Sequence, residues 1–513
     1  MSKQIELVPG EISLNVWREI YRGAGCFLSR SAYPAVEQAA KMIETLVSGE
    51  KPVYGLSTGF GKLSTVRISS DDLQQLQRNL VMSHMTGYGP LIAPEVVRLA
   101  MALKIASLGR GASGAQMRTI QLLEAMLSQD VIPAIPCQGS VGASGDLAPL
   151  AHMTAVMIGL GEAWFGGELL NGDEAMRRAG LDVIILAPKE GLALMNGTQV
   201  STALAMVGLF ELENAFLAAM AIGCLSTEAI AGLAHPFDER IHALRAHPGQ
   251  VKVAAAMKQL LDGSPMRQIS EKSGKVQDAY SIRCQPQVMG ACLDLIDHAA
   301  TTLEIEGNAA SDNPLIFVET GDVISGGNFH AEPVAFAADM LAIAIAEIGN
   351  LSERRCNLLL DPAFSGLPTM LTTDPGLNSG YMQAHISAAA IASENRQRAH
   401  PASIDNIPTA GNQEDHVSMA THAARRIPEM VANLRGILSA EALCAAQGLD
   451  LRGGVSCNPS LATVAATIRR YVPFMPVDRP VSPDLFAVAN LIQTGEIVRG
   501  TKLPRNFFGS AAA

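Results

Sequence analysis

The sequence predicts a mainly α-helical protein, a bundle of long helices preceded by a smaller region of mixed structure. After about residue 110, apolar residues recur with the 3.6-residue period of a helix, over segments that in several cases exceed 20 residues. Strand-like runs are few and short, for example Val183–Leu186 and Leu315–Val318. Only 17% of the 513 residues are charged and 48% are hydrophobic, so much helix surface must be buried against other helices or other subunits.

We place the mixed region at residues 1–110 and the helix bundle at residues 111–513. The mixed region combines short segments with turns, including a glycine-punctuated loop at residues 51–61. The predicted helices of the bundle share helix-forming composition and apolar spacing; they are Ala115–Ser128, Leu147–Ala163, Val200–Leu233, Gln287–Glu306, Pro333–Leu360, Met382–Ala399, His416–Ala446 and Pro483–Gly495.

Composition excludes several classes of partner. The net charge is −11, from 38 basic and 49 acidic residues, which argues against nucleic-acid binding. Residues 1–7 lack the apolar run of a signal peptide, and charged residues interrupt every long apolar segment, so we expect no membrane span. Eight scattered cysteines without a Cys-x-x-Cys pair predict buried thiols in a reducing, cytoplasmic compartment. The eleven histidines show no metal-ligand spacing, so we expect no metal.

The tripeptide Ala143-Ser144-Gly145 can build its own electrophile. If the Gly145 nitrogen attacks the Ala143 carbonyl, a five-membered ring closes, and loss of two waters leaves an exocyclic methylidene from the Ser144 side chain. Glycine allows the unusual backbone, alanine leaves its carbonyl open, and serine supplies the leaving hydroxyl. Taken alone, Gly-Ala-Ser-Gly is more often a flexible loop, and it occurs again at residues 111–114.

The longer string Gly-Ser-Val-Gly-Ala-Ser-Gly-Asp-Leu-Ala-Pro-Leu-Ala-His at residues 139–152 resembles the signature of the aromatic amino-acid ammonia-lyases, which act on histidine, phenylalanine or tyrosine. The resemblance extends over about residues 50–420 and includes five further blocks, at residues 54–61, 79–84, 191–199, 278–287 and 412–419. It implies a helical fold of the ammonia-lyase/fumarase-like type and a homotetramer whose active sites are shared between subunits. It also implies the cofactor 4-methylidene-imidazol-5-one (MIO), formed from Ala143-Ser144-Gly145, with no external cofactor.

Eliminating ammonia from an α-amino acid requires a base for a weakly acidic β-proton and an anchor for the carboxylate. The resemblance assigns Tyr54 and Tyr280 as proton-handling tyrosines, beside the ring-forming Ser144. A free tyrosine has a pKa near ~10, so a catalytic tyrosinate needs a lowered value. Arg283 would bind the carboxylate through its planar fork, and Asn196 would contact the ring or the amine. Taken singly, these residues would be a core phenol, a surface ion pair and a turn residue.

Further family active-site positions are occupied by Gln277, Asn313 and Phe329. The substrate is indicated by His84, which follows Ser83 as in the histidine lyases, and by Glu414 within Gln-Glu-Asp-His. A carboxylate can accept an imidazole N–H, whereas facing a phenyl ring it would be a costly unpaired charge. We therefore expect a carbon–nitrogen lyase that converts L-histidine to urocanate. The alternative for Glu414 is a place in the first turn of a helix over Glu414–Ala446, where the helix dipole favours it.

Two stretches depart from the histidine-lyase wording, Met85–Pro90 and Gly307–Ser311. They leave open a tyrosine or phenylalanine ammonia-lyase, or an aminomutase that returns the amine to the β-carbon. The alternative from another class is a non-catalytic helical scaffold that has kept these blocks without the cofactor.

Overall fold

The computed structural model describes residues 4–47, 68–69, 72–272, 274–453, 457–504 and 507–508. Helices dominate, as predicted. In chain order they are α1 (Leu14–Tyr21), α2 (Tyr33–Val47), α3 (Leu73–His84), α4 (Pro94–Gly109), α5 (Met117–Ser128), α6 (Leu147–Met157), α7 (Gly172–Arg178), α8 (Glu190–Met195), α9 (Gln199–Ala229), α10 (Glu239–Arg245), α11 (Pro248–Leu261), α12 (Met266–Lys272), α13 (Tyr280–Arg283), α14 (Gln285–Gly307), α15 (Glu332–Leu360), α16 (Pro362–Ser365), α17 (Met382–Arg398), α18 (Ala420–Arg425), α19 (Ile427–Leu451), α20 (Pro459–Tyr471) and α21 (Ser482–Gln493).

Within the described residues, the strands are short and form four small sheets. They are β1 (Gln4–Leu7), β2 (Gly25–Leu28), β3 (Tyr88–Leu91), β4 (Ile132–Pro133), β5 (Pro136–Gln138), β6 (Glu162–Phe165), β7 (Glu168–Asn171), β8 (Leu315–Phe317) and β9 (Asp322–Ile324). Strands β1 and β2 pair in parallel, whereas β3–β5, β4–β6–β7 and β8–β9 are antiparallel.

The longest helices are α9, α14, α15 and α19, with 31, 23, 29 and 25 residues. By length and composition, α9 and α15 could cross a membrane, but 89% and 72% of their most apolar windows are buried inside the protein. A helix that is apolar on all sides is expected in a protein core, and these two helices meet that description.

The chain divides into two compact units. The first comprises Met1–Val207, Ala300–Asp339 and Pro401–Arg425, and the second comprises Gly208–Ala299, Met340–His400 and Arg426–Ala513. The loop with the predicted ring-forming tripeptide Ala143-Ser144-Gly145, hereafter the ring-forming loop, belongs to the first unit. In the second unit, small residues of α15, α17 and α19 pack in one cluster, including Cys356, Ala388 and Ala440. The predicted boundary at residue 110 stays a prediction.

Several predicted element boundaries were wrong, each for a local reason. The helix predicted over 147–163 ends at Met157, because Gly159 and Gly161 adopt positive φ of 77° and 68°. The helix predicted over 416–446 begins only at Ala420 and is interrupted at Arg426, since Pro428 has no N–H to continue it. Residues 183–186 form no strand, whereas Leu315–Phe317 does.

Candidate active site

The loop that contains Ser144 is held by backbone hydrogen bonds from three distant segments. Asp146 N donates to Gly197 O at 2.7 Å, directly after α8. Ala331 N donates to Gly142 O at 3.2 Å, and Met419 N donates to Val141 O at 2.8 Å. A loop without regular structure is therefore fixed at its start and at its end by the rest of the first unit.

Two glycines allow the loop to approach these segments closely. Gly145 has a φ of +72°, and a Cβ there would lie 2.2 Å from Gly197 O. Gly142 has a φ of +70°, and a Cβ there would lie 2.2 Å from Ser418 Oγ. At 145 the obstacle is backbone, so any other residue would force the loop away from Gly197. Ala143 and Gly145 are buried, while Ser144 is half-buried.

Both polar groups of Ser144 have partners that are remote in sequence. Its Oγ donates to Glu414 Oε1 at 2.7 Å, across 270 residues. Its carbonyl oxygen accepts from Asn196 Nδ2 at 2.7 Å, across 52 residues. The Oδ1 atom of Asn196 is buried and has no hydrogen-bond partner in the described part of the chain. The arrangement places an acceptor on the serine hydroxyl and a donor on its carbonyl.

Glu414 lies in an irregular turn and not in a helix. Thr409 N donates to Glu414 O at 2.8 Å, and Thr409 Oγ1 donates to Glu414 Oε2 at 2.7 Å. Positive φ values at Gly411, Asn412 and Met419 prevent a helix before Ala420. The alternative of a first-turn glutamate is therefore wrong, and the turn aims this carboxylate at Ser144.

Asp146 is a completely buried carboxylate that follows the tripeptide. It accepts hydrogen bonds from Ser201 N (2.7 Å), Ser201 Oγ (2.9 Å), Thr421 Oγ1 (2.7 Å) and Ser140 Oγ (3.2 Å). Burial raises the pKa of Asp146, and these donors act in the opposite direction. We did not single out Asp146 from the sequence, although an aspartate between a glycine and a helix start is a recognisable signal.

The side chain of Lys104 binds the backbone of Asn196. It is buried within α4, and its Nζ donates to Asn196 O at 2.8 Å and to Ala193 O at 3.2 Å, at the C-terminal end of α8. Burial lowers the pKa of Lys104 to about 7, while the charges of Asp312 and Asp146 raise it. Lys104 was not predicted from the sequence, although it is the one lysine within the apolar run at residues 96–109.

We expect a pH-dependent effect of Lys104→Met. Between about pH 7 and its unfolded value near 10.5, the folded lysine is neutral while the unfolded lysine is protonated. Unfolding then takes up a proton, so the free energy of unfolding rises with pH in this window, and the methionine variant lacks this contribution. The thermal midpoint of the wild type minus that of Lys104→Met is expected to increase from pH 7 to pH 9.

The matched control is Lys41→Met, at an exposed position. The difference in thermal midpoint between the wild type and Lys41→Met is expected to stay constant over the same pH range. If the difference in thermal midpoint for Lys104→Met were also independent of pH, Lys104 would keep its proton in the folded protein.

His84 ends α3 in a defined orientation. Its Nδ1 lies 2.8 Å from Leu80 O, and a carbonyl only accepts, so the neutral ring carries its proton on Nδ1 and presents Nε2. Helix α3 is tied to α8 because Gly191 N donates to Gln77 Oε1 at 3.0 Å. The chain after α3 contacts the ring-forming loop, since a Cβ at Gly139 would lie 3.3 Å from Gly87 Cα.

Asn313 and Phe329 belong to one connected turn region. Asn313 Nδ2 donates to Ser325 Oγ at 2.9 Å, and Gly326 N donates to Asn313 Oδ1 at 2.7 Å. Asn313 thus stabilises the turn that precedes Phe329. Phe329 is half-buried and lies two residues before Ala331. Their predicted contact with substrate stays a prediction.

Three further predicted site residues lie in the second unit. Tyr280 is 71% exposed, and the Arg283 guanidinium carbon lies 4.6 Å from the centre of its ring, a cation–π contact. Gln277 is exposed. Tyr54 lies outside the described residues. The roles of these four residues stay predictions.

A sequence model of the family described as aromatic amino acid lyase matches residues 12–470. The chain belongs to the aromatic amino acid lyase family. The predicted fold class and the predicted enzyme class, a carbon–nitrogen lyase, are thereby confirmed.

Solved structures of other aromatic amino acid lyases cover nearly the whole chain. Histidine ammonia-lyase from Trypanosoma cruzi is 36% identical, with a TM-score of 0.90 over 98% of this chain and 97% of that one. Tyrosine aminomutase from Streptomyces globisporus is 32% identical, with a TM-score of 0.91 over 98% and 100%. The ergothioneine-degrading ergothionase from Treponema denticola is 29% identical, with a TM-score of 0.91 over 97% and 100%. These relatives differ in substrate, so the comparisons establish the family and not its substrate here.

The loop of this aromatic amino acid lyase fits the family's MIO group. Position 145 accepts only glycine, Ala143 is small and buried, and Ser144 supplies the side chain that would become the methylidene. The Ser144 carbonyl, which ring closure leaves intact, has the Asn196 amide as its donor.

Proposed function

We propose that this enzyme eliminates ammonia from L-histidine to give urocanate, with an MIO group made from Ala143, Ser144 and Gly145. The observation that carries the proposal is the 2.7 Å contact between Glu414 Oε1 and Ser144 Oγ. It brings a carboxylate to the atoms that would form the electrophile. An imidazole N–H can donate to that carboxylate, whereas a phenyl ring would offer it no donor.

The ring, once formed, supplies an electrophile that captures the substrate amine. Asn196 donates to the Ser144 carbonyl oxygen and would stabilise negative charge that develops there. We assign the Nε2 of His84, whose Nδ1 lies against Leu80 O, to a polar group of the substrate. We assign Arg283 to the substrate carboxylate and Tyr54 and Tyr280 to proton transfer, with Gln277, Asn313 and Phe329 as further substrate contacts; these roles rest on the sequence blocks that carry them.

We expect Glu414→Gln to lower kcat/KM for histidine by about 10- to 100-fold, because a neutral amide stabilises an imidazolium poorly. The matched control is Asp415→Asn, an exposed acidic neighbour whose loss is expected to change kcat/KM less than twofold. The measurement is product analysis with histidine, tyrosine, phenylalanine and ergothioneine as separate substrates. Faster turnover of tyrosine than of histidine by the wild type would refute the histidine assignment.

A second candidate is a tyrosine aminomutase. It is supported by the 32% identity to the Streptomyces globisporus enzyme and by His84, whose Nε2 could accept a phenol O–H. The two candidates differ in their products, since an aminomutase releases a β-amino acid and no ammonia. Chromatography of the reaction mixture with tyrosine separates them.

We also propose a homotetramer with shared active sites in a reducing, cytoplasmic compartment. The eight cysteines are all free. Among the described residues, five large apolar side chains of the second unit are each more than 70% exposed, and subunit contacts would bury such side chains; they are Leu244, Val276, Tyr280, Leu377 and Phe486. Light scattering of the purified protein is expected to give four times the chain mass, and a monomer with full activity would contradict shared sites.

A further inference from the structure

Two histidines and a glutamate converge beside the ring-forming loop. The nitrogen and oxygen atoms that His330, Glu332 and His416 can offer to a metal ion lie within 4.8 Å of one another. His330 Nδ1 and His416 Nε2 are each 3.9 Å from the same atom, Glu332 Oε2. The two imidazole rings are stacked, with centres 5.6 Å apart and planes 12° from parallel.

The protonation of His330 is set by its other ring nitrogen. His330 Nε2 lies 3.3 Å from the backbone oxygen of His416. A carbonyl only accepts, so Nε2 carries the proton, and neutral His330 presents the Nδ1 lone pair toward Glu332. Histidines that bind metals are commonly fixed in this way, with the second ring nitrogen donating to a backbone carbonyl.

Glu332 Oε2 has no compensating donor. The atom is buried and accepts no hydrogen bond within the described residues. A buried carboxylate oxygen that faces the lone pair of His330 Nδ1 is electrostatically unfavourable unless positive charge lies between them.

We propose that His330, Glu332 and His416 bind a divalent transition-metal ion of the zinc class. Two imidazole nitrogens and one carboxylate oxygen form a ligand set that Zn²⁺ takes with a further position left to water. Ligand atoms at zinc distances of about 2.1 Å lie roughly 3.4 Å apart. The two 3.9 Å separations from Glu332 must therefore close by about half an ångström, and the two histidine nitrogens, which lie within 4.8 Å of each other, by at most about 1.4 Å. The His416 side chain is 67% exposed, which gives the ion a route and the ring freedom to move.

The site would connect the two segments that flank the loop. Ala331, between His330 and Glu332, donates to Gly142, and Met419, three residues after His416, donates to Val141. Glu414 is only two residues from His416. A bound ion would therefore hold both flanking segments together and steady the carboxylate that contacts Ser144.

The test uses Co²⁺ alone as a probe, on the full chain after dialysis against a chelator and without substrate, because histidine itself chelates metals. We expect one equivalent of Co²⁺ to give visible d–d absorption and Zn²⁺ to displace it. Glu332→Gln and His416→Ala are each expected to weaken Co²⁺ binding by about tenfold or more. His416 lies outside any helix, so its variant tests the site without altering α15. The control is His247→Ala, an exposed histidine of the second unit, with binding unchanged.

The proposal is overturned if the wild type takes up no Co²⁺, or if both site variants bind it as tightly as the wild type. It is also overturned if the absorption is the strong near-ultraviolet band of a cobalt–thiolate bond, which would place the ion on cysteine. The readout does not depend on activity, and intact mass reports ring formation separately. Failure of this site and failure of the proposed reaction are therefore distinguishable.

Discussion

Replacing Ser144 with alanine is expected to abolish nearly all lyase activity while the chain still folds and assembles. Without the hydroxyl, ring closure cannot generate the methylidene, and no other group in the loop can replace it. Loss of a group that acts covalently costs on the order of 10³-fold or more in kcat. Intact mass checks the cause: the wild type should weigh two waters less than its sequence, and Ser144→Ala should show no such deficit.

The matched control is Ser31→Ala, which removes an exposed hydroxyl elsewhere in the first unit. It is expected to keep both the mass deficit and the activity. An active enzyme without the mass deficit would refute the ring mechanism.

Asn196→Ala is expected to lower kcat by about 10²- to 10³-fold, the range for removal of one donor that stabilises developing negative charge. Asn196 Nδ2 is 2.7 Å from the Ser144 carbonyl oxygen, so the loss falls on the reacting group. We expect KM to change much less than kcat, because the interaction strengthens as the reaction proceeds.

Asn490→Ala, at an exposed position in α21, serves as the control and is expected to leave both constants unchanged. If Asn196→Ala raised KM and left kcat intact, Asn196 would be a ground-state substrate contact. Intact mass of the variant separates slow catalysis from failed ring formation.

The long helices could be predicted because their periodicity is strong and local. The prediction for Pro333–Leu360 differs from α15 by one residue at its start, and that for Val200–Leu233 recovers most of α9. The predicted helix boundaries were wrong where backbone conformation ends a helix, at the positive-φ glycines after Met157 and at Pro428. Helix α20 was missed, although Leu461, Val464 and Ile468 recur at helical spacing and are buried.

Three residues named from the sequence lie together in the structure, but their contacts could not be predicted. The family blocks named Ser144, Asn196 and Glu414, yet nothing local indicates that 270 residues separate Ser144 from its hydrogen-bond acceptor. Lys104 was missed because its partners are backbone carbonyls, which carry no sequence signal. Whether Glu414 lies in a helix or a turn could not be predicted from the sequence, because the turn that holds it depends on its hydrogen bonds with Thr409.

The three backbone hydrogen bonds that hold the ring-forming loop have a consequence for biosynthesis. Its three anchors are Gly197, Ala331 and Met419, so the last of them leaves the ribosome when most of the chain has already been made. Until then the tripeptide lacks at least one of these three contacts. Ring closure would thus begin only after translation has passed this point. A chain that carries the ring would therefore be one that has already folded.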